Sequence, residues 1–303
     1  MSGRRPALPP TEQPNPRTAR IDRLPTRKIL ELLNEEDARV AAAVRRTLPQ
    51  IARAVNAIAK ALAGGGRLFY VGAGSSGRLG VLDAVECPPT FQVSPRQVQA
   101  ILAGGRGAMF RSAEGVEDSA AAGARDLNRY RVGKTDVVVV LTASGTTSYA
   151  LGALEAARRR GAFTVVVTAN PRSPACRRAH LAICPDTGPE AIAGSTRLKA
   201  GTAQKLVLNM LSTAAMICLG CVYRNLMVNV AMKNRKLRQR GRRVLREALG
   251  CSPAAAERLV KQSGGNLKIA LLMGRLACGR REAERRLAQA GGHMGRALGE
   301  RAL

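Results

Sequence analysis

The chain has no tryptophan, and aromatic residues make up only 3% of its 303 positions. Any core must therefore be built from Ala, Val, Leu and Ile, which the 46% hydrophobic content supplies. Histidine is scarce: there are only His180 and His293, neither in a recognisable constellation. Acid–base chemistry would then fall to carboxylates, and these are few, with 21 acidic residues against 49 basic ones for a net charge of +28. Such a field attracts phosphates, nucleic acid or anionic lipid. The basic residues are spread along the chain, densest after residue 224, with no run interleaved with aromatics as a nucleic-acid platform would have. The charge reads as a surface property, and no nucleic-acid partner is expected.

The seven cysteines are odd in number and scattered, often within apolar runs, which argues against a disulfide framework and fits a reducing cytoplasm. Cys218 and Cys221 have CxxC spacing in "CLGC", but no second pair accompanies them. They read as buried structural thiols in a helical run, and no metal is expected. A clear membrane span is also missing. Residues 206–223 barely reach the ~18-residue threshold and contain Asn209, Ser212 and Thr213, so they read as a helix buried in a core or subunit interface. In "MSGRRPALPPTEQPNP" no apolar stretch follows the paired arginines, as a secretion signal would need. The expected location is the cytoplasm.

What is present is alternation. Residues 1–20, rich in proline and polar residues, read as a loose arm, and 21–66 read as helices ending in "GGG". Apolar, largely β-branched runs follow at 67–72, 99–104, 136–144, 163–170 and 181–186, separated by segments of helical pattern. Nearly continuous apolar strands alternating with helices predict an α/β domain with a parallel sheet covered on both faces. A long apolar helix is expected over 197–224, and 225–303 read as a small, basic helical appendage.

In such a sheet ligands bind beyond the carboxyl ends of the strands, and two strand ends here carry turns rich in glycine and hydroxyls. The first, "GAGSSGR" at 72–78, contains GxGxxG at Gly72, Gly74 and Gly77. A dinucleotide site would also want an acid about 20 positions on, at the end of the next strand. The nearest acids, Asp83 and Glu86, precede that strand. Ser75 and Ser76 in this loop, with Ser144, Thr146 and Thr147 in "TASGTTSY", instead suit a phosphate cradle of hydroxyls and helix N-terminal N–H groups. Ordinary helix caps would explain either loop alone; two such loops in one sheet favour a phosphorylated small molecule.

Two groups of acids lie near these loops. Glu86 precedes "CPP", expected to stop the helix there and set a carboxylate near the cradle on a stiffened turn. Glu114, Glu117 and Asp118 lie in "AEGVEDS", where the three-residue spacing of Glu114 and Glu117 would give them one face of a helix. A solvated acidic helix start and a catalytic pair both remain open on spacing alone.

The blocks "GAGSSGRLGVLDAVECPPTF", "AEGVEDS", "ASGTTSY", "GPEAIAGSTRLKAGTAQKLVLNMLSTAAM" and "VYRNLMVNV" resemble the bacterial N-acetylmuramic acid 6-phosphate etherases, sugar-isomerase (SIS) domain proteins of cell-wall recycling, from about Ile21 to the C-terminus. The resemblance implies a SIS-type, flavodoxin-like sheet over 67–224. It implies an enzyme converting N-acetylmuramic acid 6-phosphate and water to N-acetylglucosamine 6-phosphate and D-lactate, as a homodimer, without metal or other cofactor. Glu86 takes the position of the acid on the lactate oxygen and Glu117 that of the base at C2. Gly74, Ser75, Ser76, Gly77, Ser144, Gly145, Thr146 and Thr147 take the phosphate-binding positions, with Ser195 and Lys199 as further contacts. Against the family pattern Thr146 replaces Arg, Ser148 Pro, Arg224 Gly, Asn229 Asp and Lys233 Thr, changes that bear on substrate fit. Two alternatives share the cradle. A non-catalytic sugar-phosphate-sensing regulator would keep the binding without the chemistry, and an aldose–ketose phosphate isomerase would not need the "ECPPTF" and "EGVEDS" pairing.

Overall fold

The computed structural model describes residues 8–230, 232 and 235–300; Lys233 lies outside them. The chain divides into two compact units, Met1–Val85 with Arg96–Ser212, and Glu86–Pro95 with Thr213–Leu303.

The first unit opens with 3-10 turns at Pro10–Glu12, Pro16–Thr18 and Ile21–Arg23. The expected loose arm is, from Leu8 onward, a docked segment. Thr11, Asn15 and Thr18 are buried, Thr18 Oγ1 donates to the Ala191 carbonyl at 2.8 Å, and Asn15 Nδ2 donates to Glu36 at 2.9 Å. Proline-rich composition suggested looseness, but these short polar side chains answer backbone groups distant in sequence. Helices α1 (Thr26–Arg45) and α2 (Leu48–Ala63) follow. Then come β1 (Leu68–Gly72), α3 (Gly74–Phe91), β2 (Val98–Leu102), α4 (Ala120–Arg129), β3 (Val137–Leu141), α5 (Ser148–Arg159), β4 (Phe163–Val167), α6 (Pro174–Arg178) and β5 (Leu181–Ile183). All five expected strands are present.

They pair in parallel in the order β2-β1-β3-β4-β5, the arrangement of flavodoxin-like doubly wound sheets. Leu68, Phe69, Tyr70 and Val71 of β1, like Val138, Val139 and Val140 of β3, are wholly buried. That is why these strands read as unbroken apolar runs: both faces are covered, and each large side chain so buried contributes about 1.5–3 kcal/mol. Asp136 fixes the start of β3 beside β1, accepting from Arg67 N at 2.9 Å, Arg67 Nη2 at 2.7 Å and Gly133 N at 3.0 Å. The switch in strand order places the carboxyl ends of β1 and β3 side by side, where two loops diverge.

Helix α7 (Lys199–Cys218) begins on Glu190, whose buried carboxylate accepts from the Lys199 and Ala200 N–H groups at 2.9 Å each. Burial pushes the Glu190 carboxyl up, against those two bonds. Val207, Leu208, Leu211, Ala215 and Met216 are buried within the chain. The helix stops at Cys218, short of the expected Tyr223–Arg224. Gly220 takes φ +74° and donates to the Ile217 carbonyl at 2.9 Å, and Cys221 N donates to that of Met216 at 3.0 Å, a glycine-terminated end. Cys221 is therefore outside the helix and buried, whereas Cys218 is exposed.

The second unit holds the hairpin β6 (Val222–Tyr223) and β7 (Leu226–Met227), then α8 (Arg235–Leu249), α9 (Pro253–Gln262), α10 (Leu267–Leu276), α11 (Arg280–Gln289) and α12 (Met294–Ala297). Tyr223, Val228 and Val230 share one core with Val244, Leu245, Leu271, Leu272 and Met294. Arg224 takes φ +54° at the first central position of the two-residue turn, where glycine is favoured. Its guanidinium lies 5.6 Å from the Tyr223 ring centroid, worth about 0.5 kcal/mol where exposed. The left-handed backbone costs an L residue about 1–2 kcal/mol. Arg224→Gly is therefore expected to raise unfolding stability by roughly 0.5–1.5 kcal/mol, seen as a higher urea midpoint; a lower midpoint would contradict this reading of the turn. Asn229 Nδ2 donates to the Phe91 carbonyl, a bond no carboxylate could make, so this departure is accounted for within the unit.

Candidate active site

A cavity of about 280 Å³ opens at the carboxyl ends of β1 and β3, lined by Gly74, Ser75, Ser76, Glu114, Glu117, Ser144, Thr147 and others of the first unit. One wall is the first turn of α3. Gly74 takes φ +53°, turning the chain directly from strand into helix. A side chain at Gly72 would meet Gly77 N and the Leu141 carbonyl, both 2.9 Å from its Cβ. The GxGxxG glycines thus serve close packing of strand, helix and neighbouring strand. The N–H groups of that first turn carry the positive end of the helix dipole, suited to an anion.

The facing wall is the loop between β3 and α5, held by its own hydroxyls. Thr142 Oγ1 lies 3.1 Å from Thr147 Oγ1 and accepts from Gly145 N at 3.2 Å, while Ser144 Oγ lies 2.8 Å from Thr146 Oγ1. From behind, Asn170 Nδ2 donates to the Ser144 carbonyl at 3.0 Å and Ala175 N to that of Gly145 at 3.2 Å. Gly145, at φ +71°, packs against Ser173 with no room for a side chain. Gly77, Gly145 and Thr146 therefore shape the walls without lining the cavity.

Glu117 is placed by the same architecture. Its carbonyl accepts from Tyr149 N at 2.9 Å, tying the Glu117 segment to the first turn of α5, where Thr147 is the cap residue. Helices α4 and α5 cross closely at Gly123 and Gly152: a Cβ at Gly123 would lie 2.9 Å from the Tyr149 carbonyl carbon. Residues 114–117 form a turn, and α4 begins at Ala120, capped by Ser119. The expected helical face of Glu114 and Glu117 is thus a turn, stabilised by Asp118 N donating to the Gly115 carbonyl at 3.3 Å, and both side chains still reach the cavity.

Glu86 lies in the second unit and is exposed. Contrary to expectation, the prolines do not stop its helix: α3 runs through Pro88 and Pro89 to Phe91, since two lost N–H bonds in a last turn interrupt no further helix. Lys199, expected as a further contact, is not a cavity residue. Its ammonium is paired with Glu36, both side chains being nearly inaccessible. Burial would raise the Glu36 carboxyl, but hydrogen bonds from Lys199 and Asn15 bring it below its ordinary value. Ser195 also stays out, although its neighbours Gly194 and Thr196 line the cavity.

Two lining residues escaped the sequence reading. Glu12 reaches the cavity because the N-terminal segment is docked, with Gly194 N donating to the Thr11 carbonyl at 2.9 Å. Arg78, the one basic residue lining it among the described residues, donates its guanidinium to the Ala108 carbonyl at 2.9 Å and the Arg111 carbonyl at 3.1 Å, shaping the rim. Among the described residues no group of three or more potential metal ligands exists.

A parallel 2-1-3-4-5 sheet with a hydroxyl-lined cavity at its switch point is the architecture of a SIS domain. Family profiles agree: that of the glucokinase regulatory protein N-terminal SIS domain matches residues 50–158, and that of the SIS domain matches 114–214. The chain is 53% identical over 263 residues to N-acetylmuramic acid 6-phosphate etherase 2 of Vibrio cholerae, covering 87% of this chain and 86% of the relative. It is 52% identical over 263 residues to the N-acetylmuramic acid 6-phosphate etherase of Salmonella choleraesuis, covering 87% and 89%. This chain belongs to the N-acetylmuramic acid 6-phosphate etherase family. Among solved structures, a phosphoheptose isomerase from Francisella tularensis matches 64% of this chain and 100% of its own at 15% identity, with a TM-score of 0.49.

Proposed function

We propose that the chain cleaves the D-lactyl ether of N-acetylmuramic acid 6-phosphate, giving N-acetylglucosamine 6-phosphate and D-lactate. The observation that carries this reading is the 53% identity to a named etherase over 87% of the chain; Glu117 beside a hydroxyl-lined cavity supplies the chemistry. The phosphate sits against the first turn of α3 and the hydroxyls of Ser75, Ser76, Ser144 and Thr147. The ether at C3 is a simple alkyl ether, so the oxocarbenium route of glycosidases is closed. Opening the sugar to its C1 aldehyde acidifies the C2 hydrogen. Glu117 takes that proton, electrons move to form the C2–C3 double bond, and the C3–O bond breaks. Glu86, the acid assigned by its motif, protonates the departing lactate oxygen. Water then adds at C3 and a proton returns to C2. Two carboxylates suffice for this sequence.

Run in deuterium oxide, the reaction is expected to place deuterium at C2 of the product. In oxygen-18 water, label is expected in the sugar and none in the lactate. Retention of the C2 hydrogen, or label in lactate, would contradict elimination.

The working unit of this reading is a cytoplasmic homodimer. Seven cysteines free of disulfides fit a reducing compartment, and among the described residues no helix is long and apolar enough to cross a membrane. The apolar groove lined by Val85, Ile101, Met109 and Phe110, beside edge strand β2, supplies a contact face. Phe110 is 90% exposed there, an arrangement typical of interaction sites. Light scattering is expected to return twice the chain mass for the parent and less for Phe110→Asp; a monomeric parent would refute the dimer.

A further inference from the structure

Cys176 and Cys184 play no part in the chemistry above, yet their sulfurs lie 3.2 Å apart in the first unit. Each is half-buried. Cys176 stands on α6 and Cys184 directly after β5. Ser173 Oγ donates to the Cys176 sulfur at 3.3 Å and accepts from Cys176 N at 3.4 Å, while the Cys176 thiol donates to the Asn170 carbonyl at 3.5 Å. The hydrogen bond from Cys184, against burial and with help from those of Ser173 and the nearby Arg177, lowers the Cys176 thiol to about 6. Cys184 is pushed up by its bond to Cys176 and by burial. One sulfur is thus disposed to react as thiolate while the other retains its proton, the division of labour in an attacking and resolving pair.

The residues around this pair are those that support the cradle from behind. Asn170 holds the Ser144 carbonyl, Ser173 packs on Gly145, and Ala175, adjacent to Cys176, holds the Gly145 carbonyl. We propose that Cys176 and Cys184 form a reversible disulfide with peroxides as the oxidant, and that its formation weakens sugar-phosphate binding at the loop between β3 and α5. The Cys176 thiolate attacks one peroxide oxygen, forming a sulfenic acid and expelling the other oxygen as hydroxide, which takes up the proton the thiol had released and becomes water. The Cys184 sulfur displaces the sulfenic oxygen as a second water, surrendering its proton. Together the two thiols lose two protons and two electrons, and one peroxide becomes two waters. Closing the bond brings the sulfurs to about 2.05 Å, drawing Cys176 away from Ser173 and Asn170.

The second half of the proposal rests on the etherase reading; the first is read independently of it. The full chain is treated with hydrogen peroxide, quenched and mapped by mass spectrometry, and lactate release is followed before and after, with dithiothreitol reversal. Expected are a Cys176–Cys184 linked peptide, a KM raised roughly 2- to 30-fold, and recovery on reduction. Cys176→Ser and Cys184→Ser should each work as the reduced parent does and keep their KM under peroxide. Absence of the linked peptide would overturn the disulfide. A linked enzyme with unchanged KM, or equal losses in both serine variants, would overturn its coupling to the cradle. Failure of the reduced parent to release lactate would count against the etherase reading alone.

Discussion

Glu117→Gln is expected to release D-lactate from N-acetylmuramic acid 6-phosphate about 10²–10⁴-fold more slowly than the parent, the usual contribution of a positioned general base. The amide keeps the size of the side chain and cannot take the C2 proton. The segment itself is held through the Glu117 carbonyl by Tyr149 N at 2.9 Å, a contact the substitution leaves intact. The hydroxyls lining the cavity are also untouched, so the loss should fall on kcat, with KM little changed. Glu114→Gln, in the same turn and the same cavity, should retain most of the parent's rate. Steady-state lactate assays check both. A Glu117→Gln rate within about tenfold of the parent, equivalent to about 1.4 kcal/mol of barrier, would remove Glu117 from the role of base.

Lys199→Met is expected to cost about 3 kcal/mol of stability. Removing one partner of a buried ion pair typically costs about 3–5 kcal/mol, and Arg17, at 2.9 Å from the other Glu36 oxygen, partly compensates. The pair joins the N-terminal helix α1 to the start of α7, and Asn15 adds its bond to the same carboxylate. Loss of the cation should therefore loosen the docked segment that brings Glu12 to the cavity. Replacing both residues, Glu36→Met with Lys199→Met, should recover much of the loss, because no uncompensated charge is then buried. Chemical unfolding of the single and double variants measures this. If Lys199→Met unfolded like the parent and instead lost affinity for sugar phosphate, the lysine would be a ligand contact after all.

The strands and the hydroxyl-bearing loops were legible because their causes are local. A strand buried on both faces shows as a continuous apolar run, and a tight turn from strand into helix shows as glycine and hydroxyls. The five strands fell where β-branched residues cluster, and Ser75, Ser76, Ser144 and Thr147 do line one cavity. What the sequence hid depends on partners far along the chain. The segment around Asn15 reads as loose until Glu36, Pro189 and Ala191 are seen to hold it. Lys199, a cation within a motif block, reads as a phosphate ligand until Glu36 occupies it. Glu86 reads as a residue on a stiffened turn because two consecutive prolines so often end a helix, yet α3 carries both. The end of α7 was open to view, since Gly220 is the signal; the surrounding apolar run masked it.

The direct test of etherase activity is to incubate the purified parent with N-acetylmuramic acid 6-phosphate and quantify both products. The expected result is D-lactate and N-acetylglucosamine 6-phosphate released in equal amounts, with no added metal or nucleotide. Tight binding of the sugar phosphate without lactate release would contradict it, leaving a protein that holds the cradle and senses its ligand without cleaving it.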